Sequence, residues 1–215
     1  MKLKGLLLAA GAAIGAAALW WRKNPSACPY GQRFWVEGPH PFVTRDRLRE
    51  VLGAEPGERI LEVGPGTGYY TLDVAEWVGP EGQIEILDVQ QEMLDHTMRR
   101  AAERGLTNIA PTTADATAMP YDDDGFDAAH LTTVLGEIPD QDAALRELAR
   151  VLKPGGRVVI GELFGDPHYV RFNPMWERAE RAGLVFESRS GSFLGYFARF
   201  RKPPGKAGAA VPAEG

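Results

Sequence analysis

The amino-acid sequence predicts an α/β fold, a doubly wound and mostly parallel sheet of seven strands that ends in an antiparallel hairpin. Short apolar runs typical of buried parallel strands alternate with segments of helical periodicity. The last two runs follow one another around Gly191 and Ser192 with no helical segment between them, which predicts the hairpin. The predicted strands cover residues 60–63, 83–88, 109–113, 126–131, 157–161, 184–190 and 193–201, and the predicted helices cover residues 70–78, 91–104, 140–152 and 174–182.

The N-terminal residues differ in composition from the rest of the chain. Residues 5–21, GLLLAAGAAIGAAALWW, carry no charge and are flanked by basic residues on both sides. These 17 residues reach the lower limit for crossing the hydrocarbon core, and the Trp pair at their end suits an interfacial aromatic belt. We therefore predict that a hydrophobic helix over residues 1–23 precedes the sheet and anchors the chain in a membrane. A cleaved signal peptide and a helix lying on the surface are the alternatives.

Two further segments flank the predicted domain, which covers residues 44–201. Residues 24–43 are rich in aromatic residues and prolines, and they predict either a lid that excludes water from a ligand or a linker that packs its aromatics on the sheet. Residues 202–215 are rich in Pro, Ala and Gly and predict a disordered tail.

The segment ILEVGPGTG at residues 60–68 is the most informative part of the chain. It joins the first predicted strand to a loop with glycine at every second position, namely Gly64, Gly66 and Gly68. Such a loop lets the backbone approach a ligand where a Cβ atom would clash, and it tolerates positive φ. The N-terminus of the helix that follows carries partial positive charge. This arrangement predicts a nucleotide-like ligand.

The spacing within this loop discriminates between nucleotides. The dinucleotide fingerprint G-x-G-x-x-G/A needs a small sixth residue, which here is Tyr69. A P-loop needs a Lys followed by Ser or Thr, and the loop contains neither. The E-x-G-x-G-x-G pattern from Glu62 to Gly68 resembles motif I of the class I S-adenosylmethionine (SAM) dependent methyltransferases. The resemblance implies that Glu62 and the three glycines belong to a SAM site.

An acidic residue ends the second predicted strand at the position expected for a ribose ligand. Asp88 lies 24 residues beyond Gly64, close to the offset of roughly 20 residues typical of a ribose-binding carboxylate. We predict that Asp88 binds the two ribose hydroxyls, and the resemblance places the neighbouring Val89 in the same site. The alternative is that Asp88 caps the helix that follows, because Asp is a favoured N-cap residue.

The resemblance implies further contacts after the third and fourth predicted strands. Asp115 would accept a hydrogen bond from the adenine amino group, and Ala116 would offer its backbone amide to a ring nitrogen; a simple turn role for Asp115 is the alternative. The segment TTVLGEIPD stands where this family lines the cleft around the transferred methyl group. The candidates to face that group are therefore Thr132, Thr133 and Glu137. Of these, we also assign Thr132 to the cofactor site.

The C-terminal hairpin tests the resemblance independently. A symmetric dinucleotide fold continues with further βαβ units, whereas class I methyltransferases typically end with a hairpin that inserts an antiparallel strand into the sheet. The resemblance covers residues 42–201. It is to methyltransferases of the type-11 kind, similar to those of quinone biosynthesis and to small phospholipid N-methyltransferases.

Composition and charge exclude other classes. A net charge of −5, with no basic stretch interleaved with aromatics, disfavours nucleic acid as a partner. The four histidines are scattered and Cys28 is the one cysteine, so we predict neither a metal site nor an intramolecular disulfide.

The resemblance implies an enzyme that transfers a methyl group from SAM to a small-molecule acceptor. The apolar N-terminal residues favour a lipid, a quinone or another apolar metabolite at the membrane, with the domain in the cytoplasm; a purely cytoplasmic protein is the alternative. Because alignment and desolvation can supply much of the catalysis, no catalytic residue is assigned, although His168 could deprotonate an acceptor. A tethered SAM-binding protein without catalysis and a nucleotide-dependent oxidoreductase are alternative functions, and Tyr69 and the hairpin oppose the second.

Overall fold

A computed structural model describes residues 24–38 and 40–205. The predicted N-terminal helix, with its predicted role as an anchor, lies in residues 1–23, outside the described residues, and so does most of the predicted tail. Within the two described ranges, no helix has both the length and the apolar composition needed to cross a bilayer.

The seven predicted strands form one sheet. They are β1 Arg59–Val63, β2 Gln83–Asp88, β3 Ile109–Thr113, β4 Phe126–Thr132, β5 Leu152–Leu163, β6 Val185–Ser192 and β7 Gly195–Arg201. Their order across the sheet is β3-β2-β1-β4-β5-β7-β6. Strands β1 to β5 are parallel to one another, whereas β7 runs antiparallel to both β5 and β6. The predicted mostly parallel sheet with a terminal hairpin is therefore confirmed.

Helices cover both faces of the sheet because successive strand residues point to opposite faces. The helices are α1 Phe34–Glu37, α2 Arg45–Leu52, α3 Thr71–Val78, α4 Gln91–Glu103, α5 Gln141–Val151 and α6 Phe172–Arg181, with short 3-10 helices at Tyr30–Gln32 and Leu135–Glu137. Ile60 packs into the apolar cluster that includes residues of α2, α3 and α4, whereas Leu61 packs into the cluster that includes residues of α5 and α6.

The junction between α5 and β5 differs from the prediction. The side chain of Asp140 accepts a hydrogen bond from the Ala143 N–H at 2.9 Å, so Asp140 is the N-cap of α5 rather than its first residue. The helix ends at Val151, and Leu152 already has extended backbone angles and pairs with Phe126 of β4. Pro154 therefore lies in an irregular early part of β5 and does not itself stop the helix.

The topology places a crevice at the carboxyl ends of the central strands. Helix α3, which follows β1, packs on one face of the sheet, and α5, which follows β4, packs on the other. β1 and β4 are neighbours in the sheet, and the chain leaves them toward opposite faces. A crevice therefore opens between the two connections.

Candidate functional site

A cavity of about 750 Å³ lies in this crevice. Its lining includes residues at or just beyond the ends of the five parallel strands, and its volume falls in the range of roughly 300 to 1,000 Å³ usual for small-molecule sites. One such residue from each strand, in chain order, is Val63, Asp88, Ala114, Thr132 and Leu163.

The glycine loop after β1 forms part of the cavity wall. Gly64, Gly66 and Gly68 have φ values of 67°, 55° and 78°, which favour glycine. A Cβ atom on Gly64 would also lie 2.5 Å from Cγ2 of Val134, another lining residue. Gly64 and Gly66 line the cavity as predicted, whereas Gly68 lies outside the lining and packs closely on Thr97 of α4.

Glu62 does not line the cavity, although the sequence predicts it in the cofactor site. Its side chain is 2% exposed, and its Oε2 accepts a hydrogen bond of 2.5 Å from Oγ1 of Thr71. Burial raises the pKa of Glu62 to about 8, and the nearby charge of Asp88 adds to the shift. The side chain of Glu62 therefore links β1 to the start of α3, and it lies outside the lining of the cavity.

Asp88 is the last residue of β2 and lines the cavity, as its predicted role requires. Its carboxylate accepts the backbone N–H of Gln90 at 2.9 Å, and the backbone N–H groups of Val89 and Gly66 also favour its charged form. Burial raises the pKa of Asp88 to about 6, against the opposing effect of these three donors. The N-cap of α4 is Gln90, so the alternative of Asp88 as the helix cap is wrong, although Asp88 accepts the N–H of that N-cap residue.

The other predicted cofactor residues also line the cavity. Val89, Asp115, Ala116 and Thr132 are all part of its wall. Oδ1 of Asp115 accepts hydrogen bonds of 2.8 Å from the N–H and hydroxyl groups of Thr117, so Asp115 does order a turn, and its turn role and its place in the cavity coexist. The Thr132 hydroxyl is buried and has no hydrogen-bond partner among the residues that the structure describes, which leaves it available to a ligand.

The segment before the domain crosses the cavity, and Gln90 holds it there. The Gln90 side chain donates from Nε2 to the Cys28 carbonyl at 2.9 Å and accepts the Tyr30 N–H at 3.1 Å. On the other side, the Cys28 N–H donates to Oε2 of Glu137 at 3.3 Å. Residues 25–28 accordingly form part of the cavity wall. The sequence analysis missed Gln90, because only the folded chain brings it to this segment.

A second set of residues missed by the sequence analysis lies beside the glycine loop. Nδ1 of His40 lies 3.1 Å from the Tyr70 hydroxyl, which donates to the Val43 carbonyl at 2.5 Å. The ring centroids of His40 and Tyr69 lie 4.6 Å apart. His40, Tyr69 and Tyr70 all line the cavity. Tyr69, whose size argued against a dinucleotide fingerprint, therefore contributes to the wall.

The model of the ubiE/COQ5 methyltransferase family matches residues 40–177. The chain belongs to the ubiE/COQ5 methyltransferase family. The C-methyltransferase UbiE of ubiquinone and menaquinone biosynthesis from Shewanella oneidensis is 36% identical over 134 residues, which are 62% of this chain and 53% of that protein. The corresponding UbiE of Shewanella putrefaciens is 34% identical over the same length. The chain thus spans about half the length of the curated relatives it matches.

Solved structures agree on the fold. A SAM-dependent methyltransferase from Aquifex aeolicus superimposes with a TM-score of 0.75 at 20% identity, over 82% of this chain and all of that chain. The [4+2]-cyclase SpnF superimposes with a TM-score of 0.68 at 24% identity, over 75% of this chain and 80% of that chain. A cyclase on this fold illustrates that the fold alone does not set the reaction.

Membership of the ubiE/COQ5 methyltransferase family confirms the predicted class, a SAM-dependent methyltransferase, and SAM as its cofactor. The residues of the cavity fit this cofactor. The carboxylate of Asp88 suits a pair of hydroxyl groups, and the close backbone approach at Gly64 and Gly66 suits a ligand lying over the loop. The described residues contain no group of His, Cys, Asp and Glu arranged to hold a metal ion.

The part of the cavity over the ends of β4 and β5 contains acidic groups from the segments that follow these two strands. Glu137 and Asp166 line this part, together with His168. Burial raises the pKa of Glu137 to about 8, and the charge of Asp166 adds to the shift. Burial also raises the pKa of Asp166, whose Oδ1 accepts the His168 N–H at 2.6 Å. None of the described residues that line the cavity is Lys or Arg, and the charge of His168 offsets part of the effect of burial on the pKa of Asp166.

We expect Glu62→Gln to change the pH dependence of stability. The pKa of Glu62 is about 8 in the folded chain against an ordinary 4.5, so the stability contributed by its protonated form is fully present below pH 4.5 and lost as the pH rises through 8. The amide keeps an acceptor for Thr71 but does not titrate. Between pH 5 and 8, the free energy of unfolding in urea should therefore fall less in the variant, by on the order of 2 kcal/mol. The exposed Glu50→Gln is the matched control, and equal decreases in wild type and Glu62→Gln would contradict this account.

We expect Asp88→Ala to weaken SAM binding by about 1.5 to 3 kcal/mol, or roughly 10- to 150-fold in Kd, because it removes charge-assisted hydrogen bonds to the ribose. Titration calorimetry measures the affinity, and circular dichroism checks the fold. Asp88→Asn, which keeps an acceptor for the Gln90 N–H, should lie between the wild type and Asp88→Ala. The exposed Asp122→Ala should bind SAM like the wild type. Unchanged affinity in Asp88→Ala would contradict the ribose role.

Proposed function

We propose that this protein transfers the methyl group of SAM to a ring carbon of an apolar aromatic acceptor of the quinol type. One observation carries the proposal: the cavity extends beyond the part that Gly64, Asp88 and Asp115 form, into a second part over the ends of β4 and β5. The first part suits the cofactor and the second leaves room for an acceptor beside it. The names of the UbiE relatives, which are C-methyltransferases of quinone biosynthesis, support this acceptor class.

The wall of the second part suits an apolar acceptor. Half of the lining side chains there are aliphatic or prolyl, and a ring packed among them would lose contact with water. Exclusion of water also strengthens electrostatic interactions around the transferred group. These side chains are Val134, Ile138, Pro139, Leu163 and Pro167.

Exposed aromatic residues beside this part of the cavity support entry from an apolar phase. Phe164 and Phe193 are 58% and 66% exposed, and their ring centroids lie 6.2 Å apart. Phe164 stands between Leu163 and Gly165, which both line the cavity. Large exposed apolar side chains are typical of surfaces that contact lipid or other apolar partners.

The composition of the N-terminal segment is the basis for proposing a membrane location. The uncharged residues 5–21 are joined to the cavity wall at Pro25 by only a few residues. We propose that this segment holds the domain at the cytoplasmic face of a membrane, where both SAM and a lipid-soluble acceptor are available. We also propose that residues 24–32 act as a lid, because the hydrogen bonds of Cys28 and Tyr30 hold this segment across the cavity.

We expect the full-length protein to transfer labelled methyl from SAM to a prenylated hydroquinone, and the label to be found in the lipid extract. A water-soluble catechol should take up much less label, because it gains little from the apolar wall. The Asp88→Ala variant is the matched control, and at SAM concentrations near the wild-type Kd it should transfer correspondingly less. Label confined to a water-soluble acceptor would contradict the proposal.

A further inference from the structure

We propose that Glu137 accepts the proton of a ring hydroxyl on the acceptor during methyl transfer, and that Asp166 is the positioning residue that tunes Glu137 for this role. The inference rests on the proposed function and deepens it. It restricts the acceptor to an aromatic ring that carries a hydroxyl next to, or conjugated with, the carbon to be methylated.

The topology places Glu137 on the acceptor side of the cavity. The cofactor residues Gly64, Asp88 and Asp115 follow β1, β2 and β3, which form one half of the parallel sheet. Glu137 and Asp166 follow β4 and β5, on the other side of the switch point between β1 and β4. If the cofactor lies over the first half, Glu137 lies on the side of the cavity that is left for the acceptor.

The hydrogen bonds of Glu137 leave it able to accept a proton. The described structure gives its side chain one hydrogen bond, in which Oε2 accepts the Cys28 N–H at 3.3 Å. The charged groups that raise the pKa of Glu137 are Asp166 from the β5–α6 loop and Asp88 from β2. Both are acids, so each favours the protonated form of Glu137. The charge of Glu137 in turn adds to the raised pKa of Glu162, deeper in β5.

A second buried group in the same wall points to a hydroxylated ligand. Thr132 ends β4, lines the cavity and is 8% exposed, and its Oγ1 has no hydrogen-bond partner in the described part of the chain. Buried hydroxyl groups are usually hydrogen-bonded. A polar group of a bound ligand would satisfy Thr132, and a ring hydroxyl held between Thr132 and Glu137 would be positioned for deprotonation.

The electrostatics suit a base that acts near neutral pH. A general base works best when its pKa lies near the operating pH, and the pKa of Glu137 is about 8. A neighbouring cation would lower this value and favour the carboxylate. SAM supplies such a cation, since its methyl group is carried on a sulfonium.

The proposed step balances in atoms and electrons. The O–H bond of the acceptor breaks, its proton goes to the Glu137 carboxylate, and the electron pair moves into the ring. The ring carbon forms a bond to the methyl carbon as the sulfur–methyl bond breaks, and sulfur keeps that electron pair as a neutral thioether. The hydrogen on the methylated carbon then leaves as a proton to water, which restores the aromatic ring. No oxidant or reductant is required.

The first test compares Glu137→Gln with the wild type, using SAM and the prenylated hydroquinone. The amide retains an oxygen for the Cys28 N–H, so the variant removes the base and keeps the contact. We expect kcat to fall by about 10² to 10⁴-fold, with the Kd for SAM within about threefold of the wild type. The exposed Glu50→Gln should match the wild type in both. Weaker SAM binding with unchanged kcat would overturn the proposal, because Glu137 would then be a cofactor ligand.

The pH profile tests the part played by Asp166. If Glu137 acts as a carboxylate, activity rises with pH through its pKa. Asp166→Asn removes a negative neighbour, so the acidic limb of kcat should move to lower pH by roughly one unit. A purely structural role for Asp166 would lower activity at every pH without moving the limb, and that result would overturn its positioning role.

A binding experiment tests the proposal without turnover. At pH 7.5, the heat of SAM binding measured in two buffers of different ionisation enthalpy gives the number of protons released. We expect wild type to release more protons with SAM than with S-adenosylhomocysteine, which lacks the sulfonium charge, and Glu137→Gln to lose most of this difference. An undiminished difference in the variant would overturn the proposal.

The proposed base and the proposed acceptor can be contradicted independently of each other. If wild type methylates the hydroquinone and Glu137→Gln does so at the same rate, the base is wrong and the proposed function stands. If wild type methylates no hydroquinone, the proposed acceptor is wrong, and the proton-release measurement still decides whether Glu137 titrates beside the cofactor.

Discussion

The geometry of the site depends on the close packing of Gly64 against Val134. Gly64 follows β1, and its N–H donates to the Leu87 carbonyl of β2 at 2.8 Å, while the Val134 side chain from the β4 connection occupies the space where a Cβ atom would lie. The loop after β1 is thereby held to both neighbouring strands at the switch point. Gly66 then presents its N–H to Asp88. A larger residue at position 64 would separate these connections and displace the ligand-facing backbone.

Burial of acidic groups is the second constraint, and it opposes folding. Glu62, Asp88 and Glu137 have raised pKa values because burial disfavours their charged forms, and nearby acids add to the shifts of Glu62 and Glu137. Each therefore carries a free-energy cost when ionised in the folded chain. A cationic ligand relieves that cost and stabilises the charged forms. The concentration of acids at one edge of the sheet is thus consistent with a positively charged cofactor.

The sequence predicted the elements of this fold well because their signals are local. Apolar runs, the glycine spacing and Asp88 at the end of β2 depend on neighbouring residues, and the structure places Asp88, Asp115 and Thr132 in one cavity. It did not predict that Glu62 lies outside the lining or that β5 begins at Leu152, because these depend on the pairing of strands distant in sequence. The contacts of Gln90 with the segment before the domain join residues about 60 positions apart, and no local pattern indicates them.

The segment across the cavity links the two halves of the site. The Cys28 carbonyl accepts from Gln90, which donates its own N–H to Asp88, and the Cys28 N–H donates to Glu137. One peptide segment therefore connects the carboxylate assigned to the ribose with the carboxylate proposed as the base. Because these contacts are partly buried and share Cys28 and Gln90, displacement of the segment would disturb both ends together. Because the Cys28 N–H already donates to Glu137, the segment proposed to exclude water also helps to orient the carboxylate proposed as the base.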